Sequence, residues 1–224
     1  MLLALTDHLH CTGDHAASWL VARADAAVRG WMVEGELGCP MCDVTRGIRG
    51  GVLSWDPAVA AQPVAPLLMT GPDDDSVIRL AALLALVEGS APYVLCGDMG
   101  RYAVALGAVA DAPLVLLDPP DDSAAGLATI IRGAPRMPFA DRSVRGIALD
   151  AVHASAERVA YAVRVLAPGG RMVAGSDLAL PSGIRELARD DRHWVGERVV
   201  DHSSMSAPVA IGRAPAAPRR GRNG

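Results

Sequence analysis

Short apolar runs alternate with longer amphipathic stretches through the middle of the chain. "YVLC" at 93–96, "PLVLLD" ending at Asp118, Gly146 to Leu149 and Arg171 to Ala174 are each short enough to be buried strands. Ser76 opens a helix with Val77, Leu80, Ala81, Leu83, Leu84 and Val87 on one face, and three aspartates before it suit the positive end of the helix dipole. "RYAVALGAVA" at 101–110 and Ala124 to Ile131 predict two more helices. Ser155 to Leu166 carries Val159, Ala160, Ala162, Val163 and Leu166 at helical spacing, and the "APGG" that follows ends it. Strand, helix, Gly-rich turn and strand in a continuous chain predict parallel crossovers and an α/β fold. Beyond them, "GIRELARD" at 183–190 predicts a short helix, and 193–214 predicts two strands joined by a Ser-rich turn as an antiparallel hairpin.

The first 55 residues have another texture. Ser18 to Val28 is Ala-rich and predicts a helix with Ser18 as N-cap and Gly30 as its stop. Gly35 to Cys42 predicts a strand running into a tight knuckle, and Gly47 to Trp55 a short strand with a Gly turn. His8, His10, Cys11, His15, Cys39, Cys42 and three of the four tryptophans are gathered here. The organisation expected is a small α+β module over 1–55, a Pro- and Asp-rich linker over 56–75, an α/β domain over 76–213 and a disordered tail over 214–224, with no internal repeat.

Composition narrows the classes of function. With 224 residues, 51% of them hydrophobic and 21% charged, the chain can bury a sizeable core. A net charge of −4 gives no basic field, so a nucleic-acid partner is not expected of the folded part. All 21 basic residues are Arg, which excludes Schiff-base and lysine-base chemistry. The longest apolar run, Leu80 to Val87, falls far short of the roughly 20 residues that span a bilayer. Four cysteines without a leader-like start point to a reducing, cytoplasmic setting and no membrane partner.

The phrases "RMPFADRSVRGIALD" and "RVLAPGGRMV", in this order and at this separation, resemble those before the fourth and fifth strands of class I S-adenosylmethionine-dependent methyltransferases of the small-molecule type. The resemblance implies a Rossmann-like, mostly parallel sheet finished by a C-terminal antiparallel hairpin, with the cofactor beyond the carboxyl ends of the strands. It implies Cys96, Gly97, Asp98 and Gly100 in the turn after the first strand, Asp118 accepting from the ribose hydroxyls, and Pro119, Ala134 and Met137 nearby. Val94 stands where the family has an acid, Gly133 where it has the aspartate that meets adenine, and "SFD" has become Ser143-Val144-Arg145. Asp150 and His153, after the fourth strand, are candidate catalytic proton acceptors; methyl transfer itself mostly needs two substrates held in line.

Cys39-Pro40-Met41-Cys42, with Cys11 and His15 upstream, offers four soft or borderline ligands for tetrahedral zinc. His10 and Asp14 are substitutes for His15, and a redox pair or a metal-free remnant are the other readings. "LHCTGDH" and "GELGCPMCDVTRGIRGGVL" resemble zinc-ribbon-like domains of the activator subunit of tRNA and protein methyltransferases. That resemblance implies a structural or docking role and a protein partner.

Two functions stand side by side. One is an S-adenosylmethionine-dependent methyltransferase acting on a small-molecule or protein-delivered acceptor. The other is a catalytically silent methyltransferase-like binding or scaffolding subunit. An RNA-modification factor, suggested by the module and the "PRRGR" tail, is a third reading.

Overall fold

The computed structural model describes residues 1–56, 58, 72–120 and 127–199. Eleven strands form a single sheet in the order β1-β2-β3-β4-β7-β6-β5-β8-β9-β11-β10. They are β1 Val21–Val28, β2 Trp31–Gly38, β3 Thr45–Arg49, β4 Val52–Ser54, β5 Tyr93–Cys96, β6 Leu114–Leu117, β7 Thr129–Arg132, β8 Val144–Ala148, β9 Leu166–Gly175, β10 Ile184–Arg189 and β11 His193–Arg198. The helices that accompany them include α1 Asp74–Leu84, α2 Ala103–Val109 and α3 Ala156–Val165.

From β4 through β7, β6, β5 and β8 to β9 every neighbour is parallel, and β11 then pairs antiparallel with β9 and β10. The chain leaves β5 for β6 and β7 on one side and later returns to its other side with β8 and β9. The order therefore reverses between β5 and β8, which makes this a doubly wound, Rossmann-like sheet with an antiparallel C-terminal hairpin. Among the described residues no helix is long and apolar enough to cross a membrane.

Buried strands covered on both faces must carry apolar residues at successive positions, and these do. Tyr93, Leu95, Leu114, Leu116, Ile130 and Ala148 pack with Val77, Leu80 and Leu84 of α1 and Leu106 of α2. Val94, Cys96, Val115, Leu117, Ile131 and Ile147 face the other way, towards Val159, Ala162 and Val165 of α3. This second core continues without a break into Leu5, Leu9, Met32, Leu37, Ile48 and Leu53. The N-terminal strands thus extend the parallel sheet through β4, whose Leu53 lies opposite Ile131. Local signals end these elements. Asp73 caps α1 by accepting from the Ser76 backbone N–H at 2.8 Å, and Ala85 in left-handed conformation closes it.

Three segments expected as helices are strands. Val21–Val28, inside the expected helix Ser18 to Val28, is β1, which pairs with β2 through the two-residue turn Arg29–Gly30, both with positive φ. Seven of its eight residues are exposed, so a helix here would have had little apolar face to bury, and the hairpin ladder decides. In the expected helix Ala124 to Ile131, Thr129–Arg132 is β7; Ile130 and Ile131 are fully buried on opposite faces of the sheet, and 124–126 fall outside the described residues. "GIRELARD" holds β10, an edge strand whose turn into β11 is fixed by the Asp190 carboxylate accepting from the N–H groups of Arg192 and His193. The hairpin exists, but β10 is its first arm; the expected second arm beyond residue 199, most of the linker and the tail lie outside the described residues. "APGG" interrupts a ladder rather than preceding one: β9 pairs with β8 at Leu166 and again at Arg171, with Gly169 at φ 73° between them.

Candidate functional site

Four side chains converge at the knuckle. Cys39 and Cys42 sit between β2 and β3, where the Cys39 N–H donates to Val44 O, the Asp43 N–H donates to Cys39 O, and Asp43 takes φ 55°. Cys11 and His15 come from a loop closed by the Cys11 N–H donating to Ser18 O and tethered by Trp55 Nε1 donating to Thr12 Oγ1. The ligand atoms of Cys11, His15, Cys39 and Cys42 all lie within 4.8 Å of one another. Cys11 Sγ is 3.7 Å from Cys42 Sγ, and His15 Nε2 is 3.3 Å from Cys11 Sγ and 3.4 Å from Cys39 Sγ. Ligands at the usual zinc bond lengths in a tetrahedron stand about 3.8 Å apart for two sulfurs and about 3.6 Å for sulfur and nitrogen, so the donor set fits zinc.

The surroundings fit as well. His15 Nδ1 lies 2.7 Å from Ala16 O, the contact that fixes the tautomer leaving Nε2 free to ligate. Burial alone would push the Cys39 thiol up. The N–H groups of Met41 and Cys42, with the thiols of Cys11 and Cys42, outweigh that and bring it down to about 6. Burial pushes Cys11 up to about 11, against the opposing N–H of Gly13. His10 is elsewhere, edge-on to Trp19 with ring centroids 4.1 Å apart, and Asp14 is not in the cluster.

The second constellation lies where the parallel strands end. Cys96 ends β5, and Asp118, Gly133 and Asp150 follow the carboxyl ends of β6, β7 and β8. Gly97 has φ 56° and Asp118, unusually for a side-chain-bearing residue, φ 48°. Asp118 Oδ1 accepts from the Gly133 N–H at 2.6 Å and Oδ2 from Arg158 Nη2 at 3.2 Å, while the same Nη2 also donates to Ala134 O at 3.1 Å. Asp150 Oδ2 accepts from the Asp98 N–H at 2.9 Å; its Oδ1 accepts from the His153 N–H at 2.8 Å and lies 2.7 Å from His153 Nδ1. His153 Nε2 reaches to 3.9 Å from Asp118 Oδ2 and so links the two halves. Burial opposes the Asp150 carboxylate, yet the N–H groups of Asp98 and His153 and the His153 ring outweigh it and lower its pKa.

These side chains stand over the first turn. A Cβ on Gly97 would meet Asp150 Oδ2 at 2.1 Å and His153 Nδ1 at 2.4 Å. Gly100 is backed by Pro119, whose Cβ would lie 2.9 Å from a Cβ there. Cys96 is fully buried, and burial pushes its thiol up. Met137 is 1% exposed and belongs to the core. The expected cofactor residues Cys96, Gly97, Asp98, Asp118 and Ala134 are thus brought together with both candidate proton acceptors, but the polar atoms of the two carboxylates already face partners from this chain. Arg158 and the Gly133 N–H each take one acceptor position of the Asp118 carboxylate, the group expected to receive the ribose hydroxyls. Sequence reasoning missed Arg158; its signal is faint, an Arg three residues after the N-cap Ser155 in the helix that follows β8.

No family model matches the chain, and no curated protein matches it. Among solved structures it is similar to geranyl diphosphate methyltransferase in complex with GPP and sinefungin, at 17% identity over 45% of this chain and 43% of that one, with a TM-score of 0.37. TrmN from Thermus thermophilus is 19% identical over 55% and 48%, at 0.39. A SAM-dependent methyltransferase from Geobacter sulfurreducens in complex with S-adenosyl-L-homocysteine is 16% identical over 54% and 55%, also at 0.39. The chain spans about half the length of these structures. The overlaps are partial, and the fold assignment stands on the strand order itself.

Proposed function

We propose that this protein is a methyltransferase-fold binding subunit, organised by zinc in its N-terminal part, whose nucleoside site is filled by its own side chains. The observation that carries this is the Asp118–Arg158 pair together with Asp150 and His153 over Gly97. The Gly133 N–H and Arg158 hold one position on each Asp118 oxygen, and since a guanidinium is a stronger donor than a hydroxyl they leave fewer positions for ribose hydroxyls. Zinc held by Cys11, His15, Cys39 and Cys42 would supply structural closure: four protein ligands leave no open coordination position for chemistry. Binding is then the role left to both regions, with a protein as the partner class.

A second reading keeps the enzyme. Asp118 retains its place at the end of β6, and rotation of Arg158 away from it would return a free carboxylate beside Gly97. The chain would then be an S-adenosylmethionine-dependent methyltransferase with its acceptor open. Titration calorimetry of the full chain with S-adenosylmethionine and S-adenosylhomocysteine separates the two. The binding-subunit reading expects no saturable heat at millimolar cofactor. Micromolar binding that Asp118→Ala abolishes would overturn it in favour of the enzyme.

A further inference from the structure

The knuckle offers a second chemistry besides metal binding. Three sulfurs meet there, those of Cys11, Cys39 and Cys42, and all lie within 4.8 Å of one another. Drawing any two of them to the length of a disulfide bond, about 2 Å, would make one of three bridges. The Cys-x-x-Cys spacing on its own points to Cys39 with Cys42. The structure points to another pair.

Exposure separates the three. Cys39 is 3% exposed, its Sγ accepts from the Met41 N–H at 3.4 Å, and His15 Nε2 lies 3.4 Å from it. Cys11 and Cys42 are both part-exposed, and their sulfurs stand 3.7 Å apart. Oxidation of a cysteine follows thiolate character and exposure. Ligation to zinc makes all three sulfurs thiolates, so exposure is what remains to select among them. The fourth cysteine, Cys96, is fully buried at the end of β5.

On the zinc reading of these residues, we propose that Cys11 and Cys42 are a peroxide-sensitive pair whose disulfide forms with release of the bound ion. Two thiolates, one hydrogen peroxide and two protons from solvent give one disulfide and two waters. One sulfur takes an oxygen from the peroxide as the O–O bond breaks. The other attacks that sulfur, and the S–S bond forms as the S–O bond breaks. Each sulfur gives up one electron and the peroxide takes both. Cys39 and His15 are then the only ligands left, too few to retain the ion. The bridge links residues 31 apart in sequence and joins the Cys11 loop to the knuckle, the same parts that zinc joins. A bridge between Cys39 and Cys42 would stay within the knuckle.

The test uses the full chain, incubated with zinc, freed of excess metal and reductant, and analysed for bound zinc. It is then exposed to a few-fold excess of hydrogen peroxide, quenched with N-ethylmaleimide in denaturant, and mapped by peptide mass spectrometry without reduction, while a colorimetric chelator reads released zinc. The first bridge to form should join Cys11 to Cys42, with Cys39 and Cys96 recovered as alkylated thiols and one zinc released per bridge. Dithiothreitol and added zinc should restore the starting state. A chain that holds no zinc at the outset contradicts the zinc reading, and the proposal falls with it. Zinc bound at the outset but a first bridge from Cys39, oxidation to sulfinic acid without a bridge, or zinc retained after the bridge has formed overturns the proposal alone.

Discussion

The knuckle and the strand-end network are both clusters of polar, ligand-capable side chains, yet they differ in what they leave unfinished. Cys11, His15, Cys39 and Cys42 bring their sulfur and nitrogen atoms to 3.3 to 3.7 Å from one another. A bound metal ion would turn this donor set into a closed four-ligand site. At the strand ends each acceptor already has its donor: Asp118 has Gly133 N–H and Arg158, and Asp150 has Asp98 N–H and His153. The first arrangement is a donor set that an ion would complete, whereas the second pairs its carboxylates with donors from this chain. Residue types alone do not separate these cases; partner bookkeeping does.

The largest effect that would break this comparison is at the knuckle. Stripping metal with a chelator, or Cys39→Ser, should cost at least about 3 kcal/mol and lower the melting temperature by roughly 6 to 12 °C, because ligation free energy is folding free energy. Metal analysis beside thermal unfolding checks it; one zinc per chain in the wild type and an unchanged melting temperature in Cys39→Ser would separate binding from stability and contradict the account. Next is Gly97→Ala. The added methyl would stand at 2.1 Å from Asp150 Oδ2 on a backbone with φ 56°, so about 2 to 4 kcal/mol of destabilisation is expected from urea unfolding. Asp118→Ala should cost less, about 1 to 3 kcal/mol, by leaving the Gly133 N–H without this acceptor and Arg158 Nη2 with Ala134 O in place of its carboxylate. A stabilised Asp118→Ala would mark the carboxylate as kept for an external ligand.

The smallest effect is in pH. Asp150 has a lowered folded pKa, so its contribution is present above the ordinary aspartate range and is lost as pH falls through the folded value. Urea midpoints from pH 7 down to pH 3 should therefore fall more steeply in the wild type than in Asp150→Asn, with the curves converging at the acid end. Parallel curves would detach Asp150 from the network.

Much of this was legible before any coordinates. The strands at 93–96, 114–117 and 144–148 declared themselves because a run of apolar residues too short for a helix has few other places to go. The knuckle declared itself through Cys-x-x-Cys spacing and its paired upstream ligands. β1, β7 and β10 did not. The Ala, Arg, Leu and Glu content of β1 and β10 favours helix locally, and hydrogen bonding to β2 and to β11 overrides it; β7 was hidden by the Ala-rich sequence before it, although its own Thr129, Ile130 and Ile131 are β-branched and pair with β4 and β6. "VRGW" was a hairpin signal in retrospect, since Arg29–Gly30 forms a two-residue turn. Cys96, Gly97 and Asp118, three of the candidate cofactor residues, lie at the ends of parallel strands, but Asp118 meets Arg158, which arrives 40 residues later from α3. Nothing in a local motif reports that encounter.

The measurement that tests the central claim most directly is nitrogen-resolved NMR of the Arg158 Nε–H and His153 ring signals while S-adenosylhomocysteine is added to millimolar concentration. The self-filled site requires both sets of signals to stay unchanged, with Arg158 Nε–H and His153 assigned through Arg158→Lys and His153→Gln. Saturable shifts of both, reaching a plateau at micromolar nucleoside, would contradict it and show that the network yields to a cofactor.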